Sequence, residues 1–345
     1  MRLGILTGVT GQDGSYLAEL LLEKGYTVWG LVRTTSNSKY ERIQHLLTNP
    51  NFSLKKADLQ DTYSIQHIFD TITSDAYERI EIYNLGAQSH VRHSFDMPEY
   101  TAEVDAIGVL RILECIRRSS FQKKIRFYQA STSELYGNRI RTAGVNVLNE
   151  SSGFEPCSPY AVSKLFAYWS VRNYREGYGI YASNGILFNH ESPRRGVEFV
   201  TRKITLAAGK IKRSEQEFIE LGNLDAVRDW GHARDYVEGM WRMLQQTEPR
   251  DWVLATGENH SVREFIEETF TQIGYTITWR GSGIDEVGVD QNGIVRIKIN
   301  PEFYRPNELH TLLGDPSQSF TCLGWRPTTT FKQLVKEMVE HDLVG

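Results

Sequence analysis

A glycine-rich turn near the N-terminus constrains the fold of this chain more than any other stretch. Residues 3–7 form a short apolar run of strand type, and residues 16–21 carry apolar side chains at helical spacing before Gly25, a helix C-terminal signal. In such a setting the pyrophosphate of a dinucleotide rests on a helix N-terminus, because glycines let the backbone approach the phosphates. An ordinary turn between a strand and a helix is the alternative interpretation. The predicted binding turn comprises Gly8, Thr10, Gly11, Gln12, Asp13 and Gly14.

Strand-like and helix-like patterns alternate along the first half of the chain. Strands separated by crossover helices indicate a parallel sheet, so the predicted fold class is α/β, with a Rossmann-like doubly wound parallel sheet. Ligands bind such sheets beyond the carboxyl ends of the strands. The predicted strands are 3–7, 27–32, 52–57, 80–85, 125–130 and 180–187, and the predicted helices after the first are 62–72, 102–118 and 159–176.

Composition excludes several classes of function. Hydrophobic residues make up 40% and charged residues 24% of the chain, an ordinary composition for a globular protein. The net charge of −4 does not favour binding to nucleic acid or to an anionic membrane. Three widely separated cysteines predict neither a disulfide framework nor a metal cluster. His90 and His93 are spaced like two metal ligands, but no third ligand is evident, so no metal site is predicted. Without an apolar run of membrane-spanning length or a signal peptide, we expect a cytoplasmic protein.

The residues that follow the predicted strands suggest how a cofactor is held. Arg33 follows the second strand, where an NAD enzyme usually has an acidic residue, and an arginine suits the 2′-phosphate of NADP. A solvent-exposed surface arginine is the alternative. Asp58 and Leu59 follow the third strand, and Asp58 either reaches the adenine, caps the next helix, or does both. Small residues suited to close cofactor contact follow the fourth strand, in the run Leu85, Gly86, Ala87, Gln88 and Ser89.

Tyr160 and Lys164 are a candidate catalytic pair. They are four residues apart in a predicted helix, which brings them to one face. A lysine ammonium about 4 Å away would favour the phenolate by roughly 4 kcal/mol at an effective dielectric of about 20. That corresponds to about three pKa units, which would bring Tyr160 near neutrality, where a general base works best. A tyrosine and a lysine at this spacing also occur by chance, so the pair indicates catalysis only in combination with the surrounding motifs.

Longer strings resemble a known family. The glycine turn, YNLGAQSHV, FYQASTSELYG, SPYAVSKLFAYW and LGNLDAVRDWGHARDYV together resemble the extended short-chain dehydrogenase/reductase superfamily and, within it, the dehydratases that act on GDP-mannose. The resemblance extends from residue 5 to about residue 326, and several of the strings are long. Ser133-Glu134 also fits these dehydratases, because related dehydratases of dTDP-glucose carry an Asp-Glu pair there and epimerases usually lack the glutamate.

The resemblance implies a nucleotide-sugar dehydration with bound NADP. Tyr160 would take the proton of the C4 hydroxyl while C4 gives hydride to the cofactor, and Glu134 would then remove the acidified C5 proton and protonate the departing C6 hydroxyl. Hydride returns to C6, and the product is GDP-4-keto-6-deoxy-D-mannose. Thr132 would hydrogen-bond O4, Ser133 would assist Glu134, and Lys164 would also hold the nicotinamide ribose. An ordinary exposed carboxylate is the alternative for Glu134.

The resemblance also implies the binding residues. Cofactor contacts are implied for Arg33, Asp58, Leu59, Tyr100, His190 and Arg195. Cations suit the pyrophosphate of a nucleotide sugar, and solvent-exposed positions are the alternative for its basic residues. The implied substrate-binding residues are Ser89, Asn189, Lys203, Arg228, Arg305 and Glu308.

The resemblance predicts two interwoven domains. Residues 1–187 would form the NADP-binding Rossmann domain, and 188–345 a smaller C-terminal nucleotide-sugar-binding domain, mostly 188–220 and 246–308, with 221–245 and 309–323 as candidates to rejoin the first. The sequence pattern of residues 281–300 predicts a glycine-rich hairpin. We expect a homo-oligomer, either a dimer or a tetramer, although residues 34–42 depart from the family pattern in a segment that reaches a neighbouring subunit in relatives.

Three alternatives stay open from the sequence. Another NADP-dependent nucleotide-sugar enzyme of the superfamily, such as an epimerase or a reductase, is the nearest. A dehydratase that also reduces its own 4-keto product is a variant of the main prediction. A non-catalytic NADP-binding module is the most remote, because such proteins often lose the tyrosine or the lysine, and both are present here.

Overall fold

A seven-stranded parallel sheet forms the centre of the molecule. A computed structural model describes residues 1–35, 40–138, 147–304, 307, 309 and 311–344. The strand order, from edge to edge, is β11-β6-β5-β4-β1-β2-β3. The strands of this sheet are β1 (Arg2–Thr7), β2 (Thr27–Val32), β3 (Phe52–Lys56), β4 (Arg79–Asn84), β5 (Ile125–Thr132), β6 (Tyr181–Leu187) and β11 (Asp251–Leu254).

Helices cover both faces of this sheet, as a parallel sheet requires. The ten α-helices of the described residues are α1 (Gln12–Glu23), α2 (Thr62–Asp70), α3 (Val91–Asp96), α4 (Pro98–Ala102), α5 (Gly108–Arg118), α6 (Pro159–Tyr178), α7 (Val200–Lys212), α8 (Ala233–Met243), α9 (Val262–Gln272) and α10 (Phe331–Leu343). One face buries Leu17 of α1 and Met240 of α8 in a common core. The other buries Ile65 of α2, Ile112 of α5 and Val171 of α6. In the described part of the chain, no helix is both long and apolar enough to span a membrane.

The C-terminal half adds a second, smaller core. Ile204 of α7, Phe265 of α9 and Met338 of α10 pack together in it. A four-stranded sheet in the order β13-β14-β15-β8 lies against this core, and two short strand pairs, β10-β7 and β12-β9, complete the fold. These remaining strands are β7 (Asn189–Glu191), β8 (Ile219–Leu221), β9 (Val227–Arg228), β10 (Trp230–His232), β12 (His260–Ser261), β13 (Thr278–Arg280), β14 (Val287–Val289) and β15 (Val295–Ile299).

The predicted α/β class, its six parallel strands and the hairpin within 281–300 are confirmed, with boundaries that differ by one or two residues. The predicted helix 102–118 is helical throughout, with a π-helical turn at Glu103–Ile107 that continues directly into α5. The alternative in which Asp58 caps the next helix was wrong. Asp61 caps α2, accepting hydrogen bonds from the backbone N–H of Tyr63 and Ser64, whereas Asp58 accepts from the N–H of Gln60.

The sequence analysis did not predict β11. This strand lies within residues 246–308 and pairs in parallel with β6 at the edge of the central sheet. His90 and His93, the pair considered as metal ligands, instead form a helix cap: the Nδ1 of His90 accepts a hydrogen bond from the N–H of His93 at the start of α3.

Candidate active site

The glycine turn connects β1 to α1 by close backbone packing that leaves no room for a side chain at two of its glycines. Gly8 has φ +66°, and a Cβ added there would lie 2.8 Å from the backbone nitrogen of Gly86. A Cβ on Gly14 would lie 2.2 Å from the carbonyl oxygen of Gly8. Both distances are impossible for real atoms, so glycine is required at these two positions. The turn therefore packs tightly against the start of α1, and a helix N-terminus attracts an anionic ligand.

Two residues of this turn are tied to β7 by a buried network. The Nε2 of His190 lies 2.8 Å from Oδ2 of Asp13, and Gln12 donates to the carbonyl oxygen of His190 over 3.0 Å. Burial alone would raise the pKa of Asp13 and lower the pKa of His190. Their mutual attraction and hydrogen bond outweigh burial, so the pKa of Asp13 is lowered and the pKa of His190 is raised. The charged pair fixes the turn against the strand that enters the C-terminal half.

A cavity of about 480 Å³ opens beside the turn, along the ends of β1, β2 and β3. Arg33 and Tyr100 meet across its rim, where Nη1 of Arg33 donates to the tyrosine hydroxyl over 2.7 Å. Thr35 and Tyr40 also line it, and the sequence prediction missed both because they belong to the segment that departs from the family pattern. The predicted residues that line this cavity are Gly8, Thr10, Gly11, Arg33, Asp58, Leu59, Leu85, Gly86, Ala87, Ser89 and Tyr100.

A second cavity, of about 530 Å³, adjoins the first and shares Gly8, Ala87 and Ser89 with it. It holds the five predicted catalytic residues. Arg42, Glu198 and Phe199 also line it without having been predicted. The predicted residues around it are Gly8, Thr10, Gly11, Gln12, Asp13, Gly14, Leu85, Ala87, Ser89, Thr132, Ser133, Glu134, Tyr160, Lys164, Asn189, His190 and Arg195.

The catalytic candidates come from the end of β5 and the first turns of α6. Thr132 ends β5 and caps the 3₁₀ turn Ser133–Tyr136, with its Oγ1 accepting a hydrogen bond from the N–H of Glu134 over 3.2 Å. Ser158 caps α6 in the same way, through the N–H of Ala161. The end of β5 and the start of α6 therefore bring the Thr132 hydroxyl, the Glu134 carboxylate and the Tyr160 phenol to the second cavity.

Lys164 does not act on the phenol as the sequence suggested. Its Nζ donates to the carbonyl oxygen of Ala130 over 3.1 Å and lies 5.8 Å from the centre of the Tyr160 ring. Burial raises the pKa of Tyr160, nearby Asp105 and Glu134 raise it further, and a hydrogen bond from Thr132 offsets this only in part. The expectation that Lys164 brings the pKa of Tyr160 near neutrality is therefore wrong for the chain alone.

Asp105 is a buried titratable group that the sequence prediction also missed. It lies in the π-helical turn, 1% exposed, and accepts a hydrogen bond from the N–H of Gln88 over 2.7 Å. Burial raises its pKa to about 6, and Lys164 lowers it in part. One signal was available, since Asp105 is a charged residue within the otherwise apolar stretch 104–110. Gln88, a predicted cofactor contact, is not among the described residues that line the cavities.

A third cavity, of about 230 Å³, extends from the second towards the smaller core. Lys203 lies over the Phe303 ring at 5.1 Å, and Arg228 is buried beside Trp230. The sequence prediction missed Asn223 and Phe303, which also line this space. The predicted residues around it are Asn189, Arg195, Lys203 and Arg228. Arg305 and Glu308 lie outside the described residues.

A doubly wound parallel sheet with a glycine turn after its first strand, and a Tyr-Lys helix facing a strand-end threonine, defines the class of extended short-chain dehydrogenases/reductases. The family model described as GDP-mannose 4,6 dehydratase matches residues 5–338. The chain belongs to the GDP-mannose 4,6-dehydratase family.

Individual relatives agree with this assignment. GDP-mannose 4,6 dehydratase 2 of Caenorhabditis elegans is 54% identical over 349 aligned residues, covering 99% of this chain and 89% of the relative. GDP-mannose 4,6 dehydratase of Homo sapiens is 50% identical, covering 99% of this chain and 91% of the relative. The crystal structure of Thermus thermophilus UDP-glucose 4-epimerase in complex with NAD has a TM-score of 0.78 at 23% identity, covering 99% of each chain, and that likeness supports the fold.

Proposed function

We propose that this chain converts GDP-D-mannose to GDP-4-keto-6-deoxy-D-mannose and water. Two relatives named as GDP-mannose 4,6-dehydratases, at 54% and 50% identity over almost the full chain, support the substrate. The observation that carries the proposal is that Glu134, Thr132 and Tyr160 line one cavity beside the glycine turn. This set provides an acid/base carboxylate and a separate phenol, which an oxidation followed by an elimination requires.

A nicotinamide dinucleotide fits the two adjoining cavities. Gly8 and Gly14 allow close backbone packing of the turn at the start of α1, and a helix N-terminus favours an anion such as a pyrophosphate. Arg33 and Tyr100 would hold the adenosine end, and Arg33 favours NADP over NAD through the 2′-phosphate. Lys164 would hold the ribose next to the nicotinamide. The bound cofactor would supply the hydride acceptor for C4 and the hydride donor for C6, and its oxidised ring would supply a positive charge near the phenol.

The chain's own residues divide the proton chemistry. Tyr160 takes the O4 proton while Thr132 holds O4 by a hydrogen bond. Glu134 removes the C5 proton, which the C4 ketone has made acidic, and transfers it to the C6 hydroxyl as water leaves. A proton from solvent then replaces the lost C5 proton, and Tyr160 releases the O4 proton to solvent, so the enzyme returns to its starting state. Ser133 lies beside Glu134 in the same 3₁₀ turn and assists its proton transfer.

The third cavity would take the nucleotide part of the substrate. Lys203 and Arg228 supply positive charge for the diphosphate, and Asn189 supplies an amide at the junction with the catalytic cavity. Ser89 lines the first and second cavities and would contact the sugar. Arg305 and Glu308 remain predicted contacts by family resemblance.

The first test is turnover in heavy water with GDP-mannose and NADP. Mass spectrometry of the product should show the loss of one water and the uptake of one solvent deuterium at C5. Both changes follow from oxidation at C4, elimination, and reprotonation by solvent. Unchanged GDP-mannose in the presence of bound NADP would contradict the proposal. A product with inverted configuration at one sugar carbon and no loss of water would indicate an epimerase instead.

Assembly, location and domain division complete the proposal. A homo-oligomer, dimer or tetramer, is supported by Val162, Phe166 and Trp169, which are 54%, 43% and 51% exposed on one side of α6. We place the enzyme in the cytoplasm, in agreement with the expectation from the sequence. The dinucleotide domain would comprise residues 1–187 with α8 and β11, because both pack on the central sheet, and the remaining C-terminal segments would form the nucleotide-sugar domain.

A further inference from the structure

The loop 192–199 connects β7 to α7 and forms one wall of the second cavity. Arg195 and Phe199 of this loop line both the second and the third cavity. The Arg195 guanidinium lies 3.7 Å from the centre of the Phe199 ring, and its Nε lies 3.0 Å from Oε2 of Glu191. The position of the loop therefore determines where this cation lies at the junction of the two cavities.

Arg202, in the first turn of α7, contacts the loop on its other flank. Its Nη1 donates a hydrogen bond to the carbonyl oxygen of Pro193. Proline has no backbone N–H, so the carbonyl is the one polar backbone group that residue 193 offers. Arg202 is only 8% exposed, and a guanidinium at that depth needs an anionic partner inside the protein.

That partner is Asp342 of α10. Nη2 of Arg202 lies 2.7 Å from Oδ1 of Asp342, whose side chain is 1% exposed. Burial raises the pKa of Asp342 and lowers the pKa of Arg202, and the attraction between the two charges opposes both shifts. Each charge is therefore stabilised at this depth by the other.

Asp342 is also fixed by contacts that do not involve the Arg202 side chain. Its Oδ2 accepts a hydrogen bond from the Thr205 hydroxyl over 2.7 Å. Its backbone carbonyl oxygen accepts from Nη1 of Arg213 over 3.1 Å, and a Cβ added to Gly209 would lie 2.5 Å from that oxygen. Because α7 and α10 approach so closely here, the carboxylate has a defined position from which it orients the Arg202 guanidinium.

We propose that Asp342 and Arg202 are positioning residues, a buried ion pair that holds the loop 192–199 against the two cavities and thereby sets the position of Arg195. The inference rests on the proposed function, in which the third cavity takes the nucleotide part of the substrate. Neither residue of the pair lines the three cavities, and the catalytic candidates come from β5 and α6. The pair should therefore affect ligand binding more than the chemical step.

The experiment compares two variants with wild type. Asp342→Asn leaves the buried guanidinium without its counter-charge, which should lower the thermal midpoint by about 5–10 °C. Asp342→Asn combined with Arg202→Met removes both charges and fills the space with an apolar side chain, so most of that loss should be recovered. KM for GDP-mannose should nevertheless rise about fivefold in both variants, the equivalent of one lost hydrogen bond, while kcat stays within about twofold.

Hydrogen exchange measures the loop directly and does not depend on turnover. The backbone N–H of Arg195 donates to the carbonyl oxygen of Ser192 over 3.0 Å, and the N–H of Phe199 donates to that of Gly196 over 3.2 Å. Mass spectrometry of a peptide that contains residues 192–199 should show about tenfold faster exchange of these amides in both variants, because the loop opens more often without its link to Arg202.

Val335→Ala is the matched control. Val335 is buried in the smaller core on the same helix as Asp342, and it takes no part in the ion pair. The lost packing should lower the thermal midpoint by about 5 °C. KM for GDP-mannose and exchange in the loop 192–199 should both stay at their wild-type values.

The outcomes separate the two proposals. Wild-type protein that leaves GDP-mannose unchanged would contradict the proposed function, and the exchange measurement would still test the role of the pair. A double variant with wild-type KM and wild-type loop exchange would show that the pair only stabilises the fold, which overturns the inference. An equal rise of KM in Val335→Ala would overturn it as well. If Asp342→Asn alone does not fold, the double variant decides, since it leaves no buried charge unpaired at this site.

Discussion

At the residue scale, the burial of Tyr160 opposes its proposed role as a base. The phenol is enclosed between β5 and α6, and its pKa rises because water is excluded and because Asp105 and Glu134 lie nearby. Thr132 is the hydrogen-bond donor that acts in the opposite direction. Burial and neighbouring carboxylates therefore raise the pKa of Tyr160 in the chain alone, and a bound positive charge would act against that shift.

Glu134 provides a prediction at the same scale. In Glu134→Gln, oxidation at C4 should survive and reduced nicotinamide should accumulate, because Tyr160 and Lys164 are untouched. Dehydration should fall by about 10² to 10⁴, the usual contribution of a general acid/base. Absorbance of reduced cofactor and mass spectrometry of the product measure the two steps on one sample.

Glu155→Gln is a suitable control, because Glu155 is exposed and does not line the described cavities. It should dehydrate GDP-mannose at the wild-type rate. Full dehydration by Glu134→Gln would refute the role given to Glu134.

At the scale of elements, the glycine turn and α1 depend on each other. In Gly14→Ala the new Cβ would meet the carbonyl oxygen of Gly8 at 2.2 Å, so the first turn of α1 must move. We expect a loss of about 3 kcal/mol in unfolding free energy, typical of a severe steric conflict, together with a loss of dinucleotide binding. Urea unfolding and fluorescence titration with NADP measure the two effects.

Gly177→Ala is the matched substitution. Gly177 lies near the end of α6, where an added Cβ meets no atom within 4 Å. Alanine there should stabilise the chain by about 0.5–1 kcal/mol and leave cofactor binding unchanged. If the two variants had equal unfolding free energies and equal NADP affinity, the steric conflict at Gly14 would not be the cause of any loss.

Elements were predictable where local patterns determine them, and the site was predictable only in part. The strand-turn-helix patterns around Gly8 and before Tyr160 placed the central elements correctly, because apolar periodicity and capping are local. The pairing of Asp13 with His190 joins residues 177 positions apart, and no local pattern reports it. The π-helical turn at Asp105 was missed for a related reason, since an acidic residue there is stable only through its tertiary neighbours.

At the scale of the whole molecule, the exposed apolar side of α6 supports self-association. Trp169→Glu should shift the enzyme towards monomer, because a charge replaces a large apolar side chain at the proposed contact between copies. Light scattering during size-exclusion chromatography measures the mass directly. Monomeric wild-type protein would contradict the proposed assembly.

Tyr63→Glu controls for the introduction of charge on a helix surface. Tyr63 is 88% exposed on α2, away from α6. This variant should keep the wild-type mass. The comparison therefore separates an effect at one surface from a general effect of added negative charge.

The strand order of the central sheet has a consequence for synthesis on the ribosome. Six of its strands have been made once residue 187 emerges, but the edge next to β6 stays uncovered until residues 251–254 follow. At about 5–20 residues per second this interval lasts several seconds. During that time the nascent chain presents an open strand edge, which other chains can pair with, so chaperone demand should be greatest while the segment between β6 and β11 is being translated.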